Sequence, residues 1–448
     1  MPPAVEVPAP GEPPKPDLKA RTIGSMAWTF AGFGIQQVLR FASNLTLTRI
    51  LHLPRIFGLM SVVQIVILGV EMLSDVGIGP AIVNSKRGDE PRFLNTAWTI
   101  QIIRGFTLAA VTAALAWPVS WIYGEPQLVP LLLVAAFSPV LRGFNSSRIA
   151  ALNRKISLGY LTRLEIISQV VAFIATIGSA AALRSVWALL IGWLVGDFAR
   201  MVLSHLTLPG HANRIEWDRD AAREMVKVGR WIFIGTAVTY GVGQLDRLTL
   251  GRLLSMDELG IYNMALYISQ AVLMVGGTIG RRVLFPMLSE TIRENPDRLG
   301  GRLRKARLLW LVPSLAALVI LAIWGDVAIR ILYPPQFHSA GWMLRVLSAG
   351  SIFAVINASY GIVWLALGEF RLNTLLMIFQ LPVLFGSMFA GYHLRGFTGF
   401  VIGVAAVEMI MCPIQSFLIH RRRLWQPGLD LPLVLASAAL IALGFWLR

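Results

Sequence analysis

Leu45-Thr46-Leu47-Thr48-Arg49-Ile50-Leu51 closes the first long apolar segment of the chain, and Leu248-Thr249-Leu250-Gly251-Arg252-Leu253-Leu254 closes another some two hundred residues later. Five of the seven positions carry the same residue type. A glycine follows each copy where the next apolar run begins, Gly58 nine residues after Arg49 and Gly260 eight after Arg252. Apolar helices resemble one another by chance, but a shared arginine, turn and glycine make this an internal repeat. An even number of apolar segments separates the copies. Both halves therefore enter on the same side, which predicts an all-α membrane protein of two six-helix lobes related by a pseudo-two-fold axis along the membrane normal.

The rest of the 448 residues fits that frame. Hydrophobic residues make up 56% and charged residues 14%, a balance that excludes an ordinary water-soluble domain. About 20 apolar residues cross a bilayer. Twelve segments meet that requirement, at 23–51, 56–83, 97–122, 127–147, 158–183, 186–207, 231–254, 259–281, 308–333, 342–367, 373–393 and 397–419, and a weaker thirteenth lies at 431–447. The organisation read from these is a Pro-rich disordered tail at 1–20, lobes at 21–215 and 216–420, and an additional transmembrane helix at 421–448; a fourteenth helix beyond Arg448 stays open. The first segment is too long for a signal peptide and is kept as a mature helix.

The formal net charge of +16 could suggest nucleic acid, yet the basic residues separate apolar runs and do not cluster on a hydrophilic surface. With the N-terminus in the cytoplasm, 29 of the 40 lysines and arginines fall in cytoplasmic segments, as the positive-inside rule requires. The two longest hydrophilic stretches, 208–230 and 287–307, then face the cytoplasm. In the first, Trp217, Ala221, Met225 and Val228 recur at helical spacing among charges, which predicts an amphipathic connector lying on the inner leaflet or a solvated one.

Charges placed inside spans cost a few kcal/mol each and need a cavity or a partner. They fall on faces. Gln37, Arg40 and Asn44 share one face of the first span; Gln64, Glu71 and Asp75 share one of the second; Tyr240, Gln244 and Arg247, beside Asp246, line the seventh; Asn263, Tyr267 and Gln270 line the eighth. The first pair of spans in each half thus presents a polar face, as a water-filled chamber between lobes requires. The competing reading is interhelical pairing, Arg40 with Asp75 or Glu71 and Arg247 with Asp246. Glu165, Asp197 and Glu408 read as structural. A single Cys412 and six scattered histidines leave no zinc set, and there is no P-loop, Gly-x-Ser-x-Gly elbow or His-Glu-x-x-His. No catalytic residue, metal or cofactor is expected.

The residues also resemble a known family. Thr48-Arg49-Ile50-Leu51 with Phe57-Gly58-Leu59, then Leu73-Ser74-Asp75-Val76-Gly77-Ile78-Gly79, and above all Asp246-Arg247-Leu248-Thr249-Leu250-Gly251-Arg252-Leu253-Leu254 running into Glu258-Leu259-Gly260-Ile261-Tyr262-Asn263, look like the oligosaccharide flippases of O-antigen and exopolysaccharide synthesis. These belong to the superfamily of lipid II flippases and MATE exporters, and the likeness spans roughly 20–420. One departure is visible: Arg55-Ile56-Phe57 stands where the family has an acidic and an aromatic residue before the glycine.

The resemblance implies a bacterial inner-membrane protein that moves undecaprenyl-pyrophosphate-linked repeat units from the inner to the outer leaflet by alternating access. It further implies Arg40, Arg247, Arg49 and Arg252 as phosphate attractors, since a guanidinium offers planar donors and keeps its charge. Gln37, Asn44, Tyr240, Gln244, Asn263 and Tyr267 would meet sugar hydroxyls. Asp75, Glu71 or Asp246 would bind a coupling H+ or Na+, and polysaccharide polymerase machinery would be a partner. The alternatives are a cation-coupled drug antiporter, which needs a carboxylate-dominated cavity, and a membrane enzyme of polysaccharide assembly, which generally needs a large outer loop.

Overall fold

A computed structural model describes residues 18–446 apart from 75–76, 156 and 295–297, so the tail up to residue 17 and Asp75 lie outside the described residues, while 18–20 of the expected tail are already helical. The first half comprises α1 (Leu18–Leu51), α2 (Pro54–Met72), α3 (Ile78–Asn84), α4 (Pro91–Tyr123), α5 (Leu128–Ala135), α6 (Phe137–Gly143), α7 (Arg148–Arg154), α8 (Leu158–Leu183) and α9 (Val186–Leu206). The second comprises α10 (Arg219–Leu253), α11 (Met256–Ile279), α12 (Phe285–Glu294), α13 (Leu299–Leu332), α14 (Ala340–Ala366), α15 (Phe370–Arg421) and α16 (Pro427–Trp446). Among the described residues, nine helices are long and apolar enough to cross a membrane, ten if the bent pair 128–143 and 148–154 is one span. This is a multi-pass membrane protein.

Local chemistry sets the breaks. Gly77 adopts φ 62°, a left-handed value that an L side chain resists, and it divides the expected 56–83 span into α2 and α3. Ser255 and Glu258 form a reciprocal capping box that starts α11 directly after the second repeat copy. The 52 residues of α15 reverse at Arg395 and Gly396. Its two arms then pack so closely that a Cβ on Gly391 would lie 2.1 Å from the Gly399 carbonyl oxygen.

The repeat glycines meet. A Cβ on Gly58 would lie 1.9 Å from the Met256 carbonyl oxygen, and one on Gly260 would lie 2.0 Å from that of Pro54. Each glycine thus faces the residue four positions ahead of the other, a reciprocal contact of the kind a two-fold relation between the halves produces. Beside it the Arg55 N–H donates to Asp257 at 3.1 Å, Arg55 pairs with Glu125 at 2.6 Å, and Phe57 meets Phe337 edge to face. The departure at Arg55 is therefore complemented by acids elsewhere in the same turn region.

The connector differs from a free amphipathic helix. Helix α10 runs unbroken from Arg219 to Leu253, and Ala221 and Met225 are buried against Ile78, Ile82, Phe93 and Ala97 of the first half. Trp217 is exposed, and the side chain of Val228 lies outside the described residues. Ahead of α10 the backbone is held along α4: Asn95 and Thr99 bond Glu216, Thr96 accepts from the Asp218 N–H, and Arg87 pairs with Asp218 at 2.7 Å. Polar residues on α4 give that non-helical backbone its partners, and the Ala221 and Met225 part of the apolar stripe is consumed by protein.

Candidate functional site

Crossing at their glycines, α2 and α11 bring Gln64, Asn263 and Tyr267 to the seam between the halves, while Glu71 and Gln270 line other cavities. A cavity of about 450 Å³ opens there, lined by Arg40 and Asn44 of α1, Gln64 of α2, Arg247 of α10, and Asn263 and Tyr267 of α11, with Gln169 and Trp193 from α8 and α9. Four of the lining elements are the ones whose polar faces the sequence displays. Both halves contribute an arginine.

Those two guanidiniums are under-used by the protein. Arg247 donates one bond, Nη1 to the Gln244 Oε1 at 3.1 Å, while its Nε is buried with no partner among the described residues. Arg40 is exposed into the cavity and makes no hydrogen bond or ion pair among the described residues. An unpaired guanidinium in a low-dielectric setting is costly unless water or an anion meets it. The hydrogen-bonding groups around them are held in place: Asn44 accepts from Tyr333 at 2.7 Å and Asn263 donates to the Leu259 carbonyl at 2.8 Å. The site can therefore receive a phosphate through charge-assisted bonds and present amide and phenol groups beside it.

Other residues of interest lie elsewhere. Tyr240 donates to the Ile65 carbonyl at 3.1 Å and packs on Gly69, so it knits α10 to α2 and does not line the cavity. Gln244 holds Arg247 from outside the lining, and Gln37 is half-buried away from it. Arg49 and Arg252 are exposed beyond the cavity, Arg49 with a weak 3.4 Å bond to the Leu332 carbonyl.

The acids occupy two further cavities, one per half. Glu71 pairs with Arg142 at 2.8 Å, and Arg142 also holds Asp197 at 3.1 Å, inside a space of about 390 Å³ that Arg104 and Arg200 also line. Asp246 accepts from Tyr262 at 2.6 Å and borders a 270 Å³ cavity in the second half, with Glu408 across it. Glu408 accepts from Asn357 and Gln380, each at 2.7 Å. Neither pairing weighed from sequence is present for the described acids, since Glu71 goes to Arg142 and Asp246 to Tyr262. No cluster of three metal-ligating side chains occurs among the described residues.

Sequence reasoning missed Gln169, Trp193, Arg142 and Arg200. Arg142 and Arg200 stand among the cations assigned to cytoplasmic segments, although apolar residues flank both on their helices; that flanking is the signal that marks them as interior. Gln169 and Trp193 give no such signal, because a lone amide or indole in an apolar run fits a bundle interface equally well.

With the geometry established, similarity to known proteins is informative. A family model described as polysaccharide biosynthesis protein matches residues 46–342. Across 94% of the chain and 88% of the relative, 21% of residues are identical to the lipopolysaccharide biosynthesis protein WzxC of Escherichia coli (strain K12). The teichuronic acid biosynthesis protein TuaB of Bacillus subtilis (strain 168) is 24% identical over 78% of this chain and 71% of its own. Among solved structures, the lipid II flippase MurJ in an inward closed conformation superposes with TM-score 0.73 at 12% identity, covering 93% of this chain and 92% of that one. An inward-facing multidrug-resistance MATE transporter gives 0.68 at 13% identity, over 87% and 94%.

Proposed function

The chain belongs to the polysaccharide biosynthesis protein family, whose model covers most of it, and from that premise we propose that it is a flippase for lipid-linked oligosaccharide. Its substrate is an undecaprenyl-pyrophosphate-linked repeat unit, taken from the inner leaflet of a bacterial cytoplasmic membrane and released to the outer one. One observation carries the reading: Arg40 and Arg247, one from each half, line a single cavity at the seam with guanidinium donors unspent. A diphosphate bridging them binds to both halves at once, so its binding energy can be used to rock one half against the other. The Gly58–Gly260 crossing is the contact about which that rocking occurs. The N-terminus lies in the cytoplasm, where cations concentrate. Asp246, or Glu71 through its bridge to Arg142, is the place where a H+ or Na+ gradient would couple, and the export product passes to polymerase machinery.

The test is export. Replacing Arg40 and Arg247 with alanine, singly, abolishes delivery of lipid-linked repeat units to the outer leaflet and leaves them accumulating inside, while the protein still inserts. Lysine replacements restore part of it, because an ammonium keeps the charge and loses the fork. Normal export by either alanine variant removes the arginines from the site; raised drug sensitivity with normal glycolipid after deletion of the gene points to an antiporter.

A further inference from the structure

The seam cavity has a neighbour at Arg40. On its other side Arg40 also lines a chamber of about 380 Å³ between α1, α8 and α9, bounded by Gln36, Glu165, Gln169, Trp193 and Arg200. Arg40, Gln169, Ala172 and Trp193 border both spaces, so the two lie side by side with these side chains between them.

The walls of the chamber are fixed. A Cβ on Gly192 would lie 1.8 Å from the Thr176 Oγ1, and one on Gly196 would lie 2.7 Å from the Ala172 Cβ, so α8 and α9 touch without room for a side chain between them. Trp193, one residue on and a hundred degrees round the helix, is turned out of that contact, and the Arg142 guanidinium lies 5.7 Å from its ring. Gln169 donates to the Gln36 carbonyl at 3.1 Å, and Gln36 donates to Glu165 at 3.0 Å.

The charges decide what fits. With Arg40 given to the diphosphate, Arg200 is the chamber's other cation and stands among the acids Glu165 and Asp197, so no surplus positive charge is left for a second anion. Asp197 is already held by Arg142, and Arg200 stands 3.9 Å from Glu165 with its Nε buried and unpartnered among the described residues. What remains is an aromatic ring, amides, a carboxylate acceptor and a guanidinium donor. A pyranose presents the complement, a C–H face for the ring and hydroxyls that both donate and accept.

We infer that this chamber is a sugar-binding subsite, with Trp193 as stacking platform and Gln169, Glu165 and Arg200 as hydroxyl partners, taking an uncharged pyranose of the oligosaccharide whose diphosphate sits between Arg40 and Arg247. It rests on the flippase reading and adds a direction to it: the glycan extends into the first half, and the walls of α8 and α9 set which sugars pass.

The experiment compares equilibrium binding of four probes to the purified full-length protein in lipid nanodiscs: undecaprenyl diphosphate alone, and the same lipid carrying one glucose, galactose or N-acetylglucosamine. At least one sugar-bearing probe binds the wild type roughly three- to tenfold more tightly than the sugarless one, the scale of one aromatic contact. Trp193→Ala erases that difference so that the probes bind alike, Trp193→Phe keeps most of it, Gln169→Ala reduces it, and Arg247→Ala weakens all four probes together. Four probes binding the wild type equally, or a sugar preference unchanged in Trp193→Ala and Gln169→Ala, overturns the subsite and leaves the flippase reading standing. Failure of the wild type to bind any of the four overturns both.

Discussion

Alanine at Gly58 has no place to go. The closest approach real Cβ atoms make is 3.0 Å and the added methyl would stand 1.9 Å from the Met256 carbonyl oxygen, so the α2 and α11 backbones must separate by at least 1.1 Å. Alanine at Gly260 demands 1.0 Å on the same scale, since its Cβ would be 2.0 Å from the Pro54 oxygen. The obstacle in each case is backbone, which cannot rotate aside, so the cost lies at the upper end of the range for overpacking, about 2–3 kcal/mol for each single substitution. The two share one crossing. Once the helices have parted for the first methyl, the second fits with little further movement, and the double variant should cost less than the sum by about 1–2 kcal/mol. Denaturant titration of the four proteins in detergent micelles supplies the cycle. If the crossing opens during transport, about 2 kcal/mol also shifts the balance toward the separated state roughly thirtyfold. A cysteine at the cavity-lining Ser61, in a background lacking Cys412, would then label faster in either glycine variant. Singles within about 0.5 kcal/mol of wild type, or strict additivity, would refute the shared-crossing argument.

Three other expectations follow from individual contacts. Arg307, fully buried, bonds Asp430 at 2.7 Å, Ser359 at 3.0 Å and Tyr360 at 2.9 Å, and so fastens α16 to α13 and α14. Arg307→Ala or Asp430→Ala strands a buried charge and should cost about 3–5 kcal/mol, whereas Arg307→Met with Asp430→Leu should recover most of it in the same titration. The Arg87 side chain holds the Asp218 carboxyl below its usual 3.8, with the Asp220 and Ala221 N–H groups assisting. A depressed folded value means that this pair's contribution is fully present above the ordinary carboxylate range and is lost only as pH falls through the lowered one. Tryptic cleavage at Arg214 and Arg219, normalised at each pH to an unstructured reference peptide, should thus be slow and flat between about pH 5 and 8 in the wild type, and faster at every such pH in Asp218→Asn. Glu408→Ala leaves the Gln380 amide without its acceptor and takes one of the Asn357 amide's two, the bond to the residue 408 backbone carbonyl at 3.0 Å remaining, a loss of about 1–3 kcal/mol. Glu408→Gln should lose less by thermal denaturation, because its new N–H group can meet the Asn357 Oδ1, which is buried and unpartnered.

The sequence by itself determined the all-α, multi-pass class, because the requirements of a bilayer are written in one dimension, although nine or ten helices among the described residues are long and apolar enough to cross where twelve or thirteen spans were expected. Spans of about 20 apolar residues follow from hydrocarbon thickness, and 158–183 is helical to the residue. The repeat also reads linearly, and so does the helical spacing that put Arg40 and Asn44, or Asn263 and Tyr267, on one face. That is why five candidate residues, Arg40, Asn44, Arg247, Asn263 and Tyr267, were visible before any coordinates and stand around one cavity.

Tertiary structure decided which charges answer which. Periodicity assigns a side chain to a face of its own helix and says nothing of the helix opposite, so Glu71 reads as a partner for Arg40 when it is in contact with Arg142, 71 residues away along the chain. Likewise Ala221 and Met225 show an apolar stripe whose neighbour could be lipid or protein, and only packing against α3 and α4 settles it as protein. Trp193 and Gln169 carry no sequence mark at all. Their position beside Arg40 depends on Gly192 and Gly196 letting α9 close onto α8, a distance set by atoms that are absent from both glycines.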